Sequence, residues 1–273
     1  MALKSILLHL ARDRRVEQTT AAAIALAKRH GARLVAASPL PPVILPMPDG
    51  GFISADLIQK MSAEQQASAE RSAAKARTAG EAAGITVTTE VVEGDPVSVL
   101  SAAAVAADLV VIGQPDPDSA GGADVSFPGD LLMASSRPVL CLPYAGTFPT
   151  LGDHVLVAWN GSREAARAVA DALPLLEKAA TVMVVTIDDV VPGGAAPEAV
   201  AGYLKMHGIA ATVRRVPSGE ISAEDALLGM ISDQGIDLVV MGAYGHSRTR
   251  ELLFGGVTRS LLRFMTSPLL LSH

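Results

Sequence analysis

Short apolar runs punctuate the whole chain, and most show no polar alternation; Leu109-Val110-Val111-Ile112 and Leu238-Val239-Val240-Met241 are examples. Such runs fit strands covered on both faces, as in a parallel sheet. In the first part of the chain strands are expected at about 4–10, 33–38, 85–92, 108–112 and 138–142, with helices at about 16–30, 54–83 and 96–106. In the second part strands are expected at about 154–159, 181–187, 209–216, 236–241 and 268–272, with helices at about 162–178, 195–207, 221–233 and 256–265. Strand and helix alternate throughout. The expected architecture is therefore α/β, with a doubly wound, mostly parallel five-stranded sheet in each part and helices on both faces. Ligands of such sheets bind at the carboxyl ends of strands, near the switch in strand order. Ala158-Trp159-Asn160-Gly161 and Val240-Met241-Gly242 both stand at such ends.

The pattern is also written twice. Asp108-Leu109-Val110-Val111-Ile112-Gly113 matches Asp237-Leu238-Val239-Val240-Met241-Gly242 at an offset of 129. Arg137-Pro138-Val139-Leu140 matches Ser267-Pro268-Leu269-Leu270 at 130, Val92-Glu93-Gly94-Asp95 matches Pro217-Ser218-Gly219-Glu220 at 125, and Ile6-Leu7-Leu8-His9 matches Val155-Leu156-Val157-Ala158 at about 149. One order with drifting offsets is a duplication with insertions, too long in period for a solenoid. The turn-rich stretch Tyr144–Gly152 divides it into residues 1–146 and 147–273. Asp108 and Asp237 are expected to cap the turns before the fourth strands. The Pro-rich segment 38–52 cannot be a central strand and is suited to covering a cleft or meeting a partner. The Ala-rich helix after it should bury one narrow stripe.

Composition narrows the class. Hydrophobic residues make up 49% of the 273 and aromatics only 3%, so Ala, Val and Leu must pack close helix–sheet layers. The net charge is −6, and each part carries −3 (12 basic against 15 acidic residues in 1–150, 10 against 13 in 151–273). With no basic domain or tail, nucleic acid is not an expected partner. No apolar run reaches transmembrane length, and the first residues lead straight into a strand, so a cytoplasmic protein without membrane contact is expected. The single cysteine, Cys141, lies in an apolar strand and reads as inert core.

Candidate chemistry concentrates near the end of the chain. Gly242, Gly245 and Gly255 are separated by two and nine residues, between a strand and the helix that starts near Val257-Thr258. Glycines let backbone N–H groups approach an anion, and the helix end adds partial positive charge, so this loop is a candidate phosphate site. His246 either donates to phosphate or braces the loop. Arg248 or Arg259 either neutralises phosphate or joins a solvated face with Glu251. Trp159 either stacks on a base or is a buried strand-end aromatic, and His9 is expected to be a hydrogen-bonded core residue. There is no zinc spacing, Gly-x-Ser-x-Gly elbow or P-loop, so no catalytic residue and no metal ligand is assigned.

The duplication, the glycine spacing, and the run Val155–Ser162 leading into Arg163–Ala168 together resemble the universal stress protein family in tandem form, over nearly the whole chain. The resemblance implies that the two domains pack as an internal pseudo-dimer, with the last strands, 138–142 and 268–272, meeting between them. It implies a site for an adenine nucleotide, ATP with or without Mg. Phosphates would be lined by Gly242, Gly245, Gly255, Gly256, Val257 and Thr258, with Met241, His246, Ala158, Asn160 and Thr186 or Ile187 completing the nucleotide site. Two residues depart from the family pattern. Gly256 stands where a hydroxyl residue follows the third glycine, and Asn160 stands at an acidic position, leaving no charge for a metal. In the first domain, Gln114-Pro115-Asp116-Pro117-Asp118 follows Gly113, and Pro128-Gly129-Asp130 stands at the helix start, so no triphosphate site is expected there. The implied function is stress-response binding and regulation without rapid hydrolysis. The alternatives are a nucleotide-independent scaffold acting through an unknown protein partner, and a slow ATPase. A homodimer of the tandem chain is a further expected assembly.

Overall fold

The computed structural model describes residues 2–43, 54–115, 124–217, 219, 221–243 and 257–273. In the first half, β1 (Ser5–His9), α1 (Val16–His30), β2 (Arg33–Leu40), α2 (Ala55–Ala83), β3 (Val87–Glu93), α3 (Pro96–Ala104), β4 (Leu109–Gly113), α4 (Phe127–Ala134) and β5 (Val139–Leu142) follow in order. The second half repeats the order as β6 (His154–Ala158), α5 (Arg163–Leu176), β7 (Thr181–Ile187), α6 (Pro197–Met206), β8 (Ala211–Val216), α7 (Ala223–Asp233), β9 (Leu238–Gly242), α8 (Val257–Phe264) and β10 (Leu269–Ser272). Helix α4 is the one helix here that the apolar pattern leaves out. Pro128 and Gly129 in its first turn weaken the signal, although proline is tolerated at a helix start. Among the described residues, no helix is long and apolar enough to cross a membrane.

All ten strands join one sheet in the order β3-β2-β1-β4-β5-β10-β9-β6-β7-β8. Pairing is parallel within each half, and β5 meets β10 antiparallel, as expected of the last strands. Leu140 pairs with Leu270, its own equivalent in the duplication, and Val139 with Leu271. A pseudo-two-fold axis therefore passes through the Leu140–Leu270 pair, and the contact between halves is self-complementary. A second reciprocal pair marks the same axis. Arg29 Nη2 donates to the Lys178 carbonyl (2.6 Å), and Lys178 Nζ donates to the Arg29 carbonyl. Arg29 also bonds the Leu151 carbonyl (3.0 Å) and pairs with Asp153 (2.7 Å).

Two apolar layers cover the sheet, and each runs across both halves. One takes Ala23, Ala27, Ala73, Ala168, Val169 and Leu176 from α1, α2 and α5; the other takes Leu100, Leu131, Leu227 and Leu261 from α3, α4, α7 and α8. Val139, Leu140, Leu270 and Leu271 are wholly buried where the halves meet. Each such side chain is worth about 1.5–3 kcal/mol when withdrawn from water. The half-exposed contacts of Arg29 contribute on the order of 1 kcal/mol, so the apolar seam dominates the joint.

Local sequence explains the details. Helix α2 buries only Ala69, Ala73, Ala76 and Gly80, the expected narrow stripe. Asp95 caps α3 by accepting from Ser98 N–H, with Pro96 in the first turn. Strand β2 runs on through Ser38, Pro39 and Leu40, beyond the 38 expected, because these residues pair with β3 where β1 has ended. Pro39 thus lacks an N–H only where none is needed. Asp108 and Asp237 do not cap the preceding turns. Asp108 accepts from the N–H groups of Lys4 (2.7 Å) and Ser5 (2.9 Å), and Asp237 from Gly152 (3.1 Å), Asp153 (3.1 Å) and His154 (2.8 Å). Each pins the start of the neighbouring first strand by accepting from its leading N–H groups. Cys141 is buried, and burial pushes its thiol up to about 12, as inert core requires.

Candidate functional site

The strand order of the second half reverses at β6, which has β9 on one side and β7 on the other. The carboxyl ends of these strands form the crevice where such sheets accept ligands. Ala158 ends β6 directly beside Met241 of β9, and Ile187 ends β7. Successive side chains of a strand point to opposite faces. Ala158, Ile187, Met241 and Val257 all lie in the layer of α7 and α8. Val257 and the buried Thr258 open α8 in that same layer. These four sequence-assigned residues are thus brought together on one face. Gly245, His246, Gly255 and Gly256 lie outside the described residues, as do Arg248, Arg250 and Glu251.

Two other assigned residues point the other way. Thr186 follows Val182 and Val184 on the α5–α6 face; it is 1% exposed, and its Oγ1 is enclosed without a hydrogen-bond partner among the described residues. Of the pair Thr186 or Ile187, only Ile187 is on the crevice face. Gly242 backs onto α5. A Cβ there would stand 2.3 Å from Ala165 N and 2.4 Å from the Glu164 carbonyl carbon. Its missing side chain is therefore required for helix packing, whatever else the loop does.

The exit of β6 is held by its own network. Ser162 caps α5 by accepting from Ala165 N–H (3.2 Å), and Asn160 Oδ1 accepts from Ser162 N–H (3.0 Å). Segment 188–196 folds over this exit. Val191 N–H donates to the Asn160 carbonyl (2.8 Å), and Trp159 Nε1 donates to the Ala195 carbonyl (2.8 Å). Gly161, at φ +79°, lies so close that a Cβ would meet Gly194 and Val190 at 3.0 Å. Trp159 is therefore a buried strand-end aromatic whose N–H is already engaged. Glu164 was not legible as a site residue. It is 3% exposed in the first turn of α5, behind Gly242. Burial pushes its carboxyl up, and the hydrogen bonds and charge from Arg163, with its own backbone N–H and Ser162, outweigh that and hold it below the usual range. Arg259 is exposed in the first turn of α8, whereas Arg263 lies at the far end, over the Phe264 ring.

In the first half two rings stand at the equivalent positions. His9 and Phe127 stand where the second half has Ala158 and Val257, and their rings meet at 5.1 Å. His9 Nδ1 is enclosed without a partner among the described residues, so the expected hydrogen bond is not made to any of them at that nitrogen. Burial, and then Arg12, bring the imidazole down to about 4, leaving it neutral. Gln114 reaches away from the crevice and across to the second half, where Nε2 donates to the carbonyls of Leu262 (2.8 Å) and Arg263 (3.1 Å).

A duplicated, mostly parallel α/β sheet with a switch in strand order in each half defines a tandem protein of the doubly wound class. The universal stress protein family profile matches residues 4–143 and 152–273, and the chain belongs to that family. A universal stress protein from Archaeoglobus fulgidus shares the fold over 98% of this chain and 95% of its own, with a TM-score of 0.76 and 19% identity. A protein of unknown function from Pseudomonas aeruginosa covers 99% and 92% at a TM-score of 0.59 and 14% identity. The universal stress protein Slr1230 of Synechocystis is 46% identical over 48 residues, which are 18% of this chain and 17% of that protein.

Proposed function

We propose that the chain is a stress-response binding and regulatory protein that takes one adenine nucleotide, ATP, in its second half. The observation that carries this reading is the glycine loop Gly242-x2-Gly245-x9-Gly255, which leads from the crevice end of β9 to the N-terminus of α8. Backbone N–H groups and the helix end would hold the phosphates, and Ala158 and Ile187 offer an apolar wall for the base. Family members have been solved with cAMP and with dAMP, each covering 52% of this chain at TM-scores of 0.39 and 0.36, so the proposal rests on this chain's own residues. Asn160 in place of an acidic residue and Gly256 in place of a hydroxyl residue would leave the metal and phosphate to backbone and water, which favours binding over hydrolysis. The signal is then occupancy, not turnover: ligand bound between β6 and α8 favours one arrangement of the loop over others. The protein acts in the cytoplasm and passes that arrangement to a protein partner.

Calorimetry with ATP tests the reading. One site per chain is expected, and Gly245→Asp should abolish it by adding bulk and negative charge beside phosphate. Two sites per chain, or none, would overturn it. None would leave the nucleotide-independent scaffold, and enzyme-like phosphate release in a single-turnover assay would reveal the slow ATPase.

A further inference from the structure

The first half has lost its own phosphate loop, and the residue that opens the replacement, Gln114, is spent on the second half. Its side chain is almost wholly buried, at 6% exposure. Nε2 donates to the Leu262 and Arg263 carbonyls at 2.8 and 3.1 Å, and Oε1 accepts from Tyr144 N–H at 3.0 Å. With both ends of the amide engaged, its orientation is fixed. Leu262 and Arg263 lie in the last turn of α8, which ends at Phe264, so their carbonyls have no helical partners and need outside donors. The contact spans 148 residues of sequence and has no counterpart in the other direction among the described residues. The equivalent of Gln114 is Ala243, which carries no side-chain donor; its carbonyl instead meets the His273 ring at 3.1 Å. The support is one-sided: the first half holds a helix of the second.

Helix α8 has only eight residues, about 12 Å, so what fixes its last turn also sets the attitude of its first. That first turn carries Val257 and Thr258 at the crevice. We infer that Gln114 is a positioning residue for the nucleotide site: it anchors the C-terminal end of α8 from the partner half and so sets how well the N-terminal end receives phosphate. The first half thereby regulates the affinity of the second. This rests on the nucleotide reading above, and it adds a role for a residue that touches no ligand.

The test uses the full chain with Gln114→Met, which keeps length and burial but removes both donors, and Gln114→Glu, which sets a carboxylate oxygen against two carbonyls. The control is Arg29→Ala, which removes a contact between halves at the opposite end of the strands. Hydrogen exchange by mass spectrometry reads α8, and calorimetry reads ATP. Both Gln114 variants should speed exchange in 257–264 about tenfold relative to α4 and weaken ATP about tenfold, as expected for two lost hydrogen bonds. Arg29→Ala should leave both unchanged. Unaltered exchange in α8 would overturn the anchoring, and so would equal weakening by Arg29→Ala, which would mark a general stability effect. Faster exchange with unchanged ATP affinity would overturn the link to the site. Absence of ATP binding by the unaltered chain would instead overturn the nucleotide reading, while exchange still decides the anchoring.

Discussion

Gly242→Ala separates two reasons for a glycine in the same place. The added Cβ would stand 2.3 Å from Ala165 N, 2.4 Å from the Glu164 carbonyl carbon and 2.8 Å from the Glu164 carbonyl oxygen. All three are main-chain atoms, so no side chain can swing aside. Ordinary carbon contacts lie near about 3.5–4.0 Å, so the first turn of α5 or the end of β9 would have to retreat by roughly 1 Å. Neither is free to do so. Ala165, Ala168, Val169 and Ala172 fix α5 in the core, and Gly242 pairs with Ser272 in the sheet. Overpacking of this kind costs about 1–3 kcal/mol. At roughly 2–4 °C per kcal/mol for a chain of this size, the melting midpoint should fall by about 2–12 °C. Calorimetry or far-ultraviolet dichroism reads the midpoint. Gly202→Ala in α6 and Gly229→Ala in α7 are controls, because a Cβ there meets nothing within 4 Å. Helical glycine-to-alanine changes of that kind stabilise by about 0.5–1 kcal/mol. A Gly242→Ala chain that melts with the unaltered one, and loses only nucleotide affinity, would refute the packing argument and return the residue wholly to the ligand.

His9 and His30 are both brought down to about 4 from 6.5, chiefly by burial, so the unfolded chain takes up protons that the folded one refuses. Stability should therefore be complete above about pH 6.5 and fall as the pH drops towards 4, by up to about 3 kcal/mol for His9; urea melts between pH 7.5 and 5 should show the slope, and His9→Leu should flatten it. Arg29→Ala removes the 2.7 Å pair with Asp153 and the bonds to the Leu151 and Lys178 carbonyls. It should cost on the order of 1 kcal/mol in a denaturant melt, since the group is partly exposed; a loss several times larger would mean the polar contact, not the Leu140–Leu270 seam, holds the halves together. Cys141 should ignore thiol reagents in the native chain and react only as denaturant opens the core; prompt native labelling would contradict its burial.

What the sequence discloses and what it hides follow one physical line. Patterns of apolar side chains report what is covered, so the strands and the duplication were legible, and the meeting of β5 with β10 was implied by the family resemblance. Hydrogen bonds that end on carbonyls leave no trace in side-chain pattern. Every residue has a carbonyl, and nothing about Leu262 or Lys178 advertises which one is waiting for Gln114 or Arg29. Asp108 and Asp237 show the same limit: their place in the repeat was plain, but their acceptors serve strand starts 83 to 104 residues away in sequence, not the adjacent turn. The glycine loop is ambiguous for a different reason. Ligand phosphate and a neighbouring helix make the same demand on a residue, that it carry no Cβ. Spacing alone cannot say which demand Gly242 answers, and the contact with Glu164 and Ala165 shows that the helix is one of them. Its counterpart Gly113 is under a weaker demand: a Cβ there would stand 3.1 Å from Thr19 Oγ1, a side-chain atom, in a half where the rest of the phosphate motif is gone. The glycines further along, at 245 and 255, have no such counterpart in the first half, and it is on them that the nucleotide proposal turns.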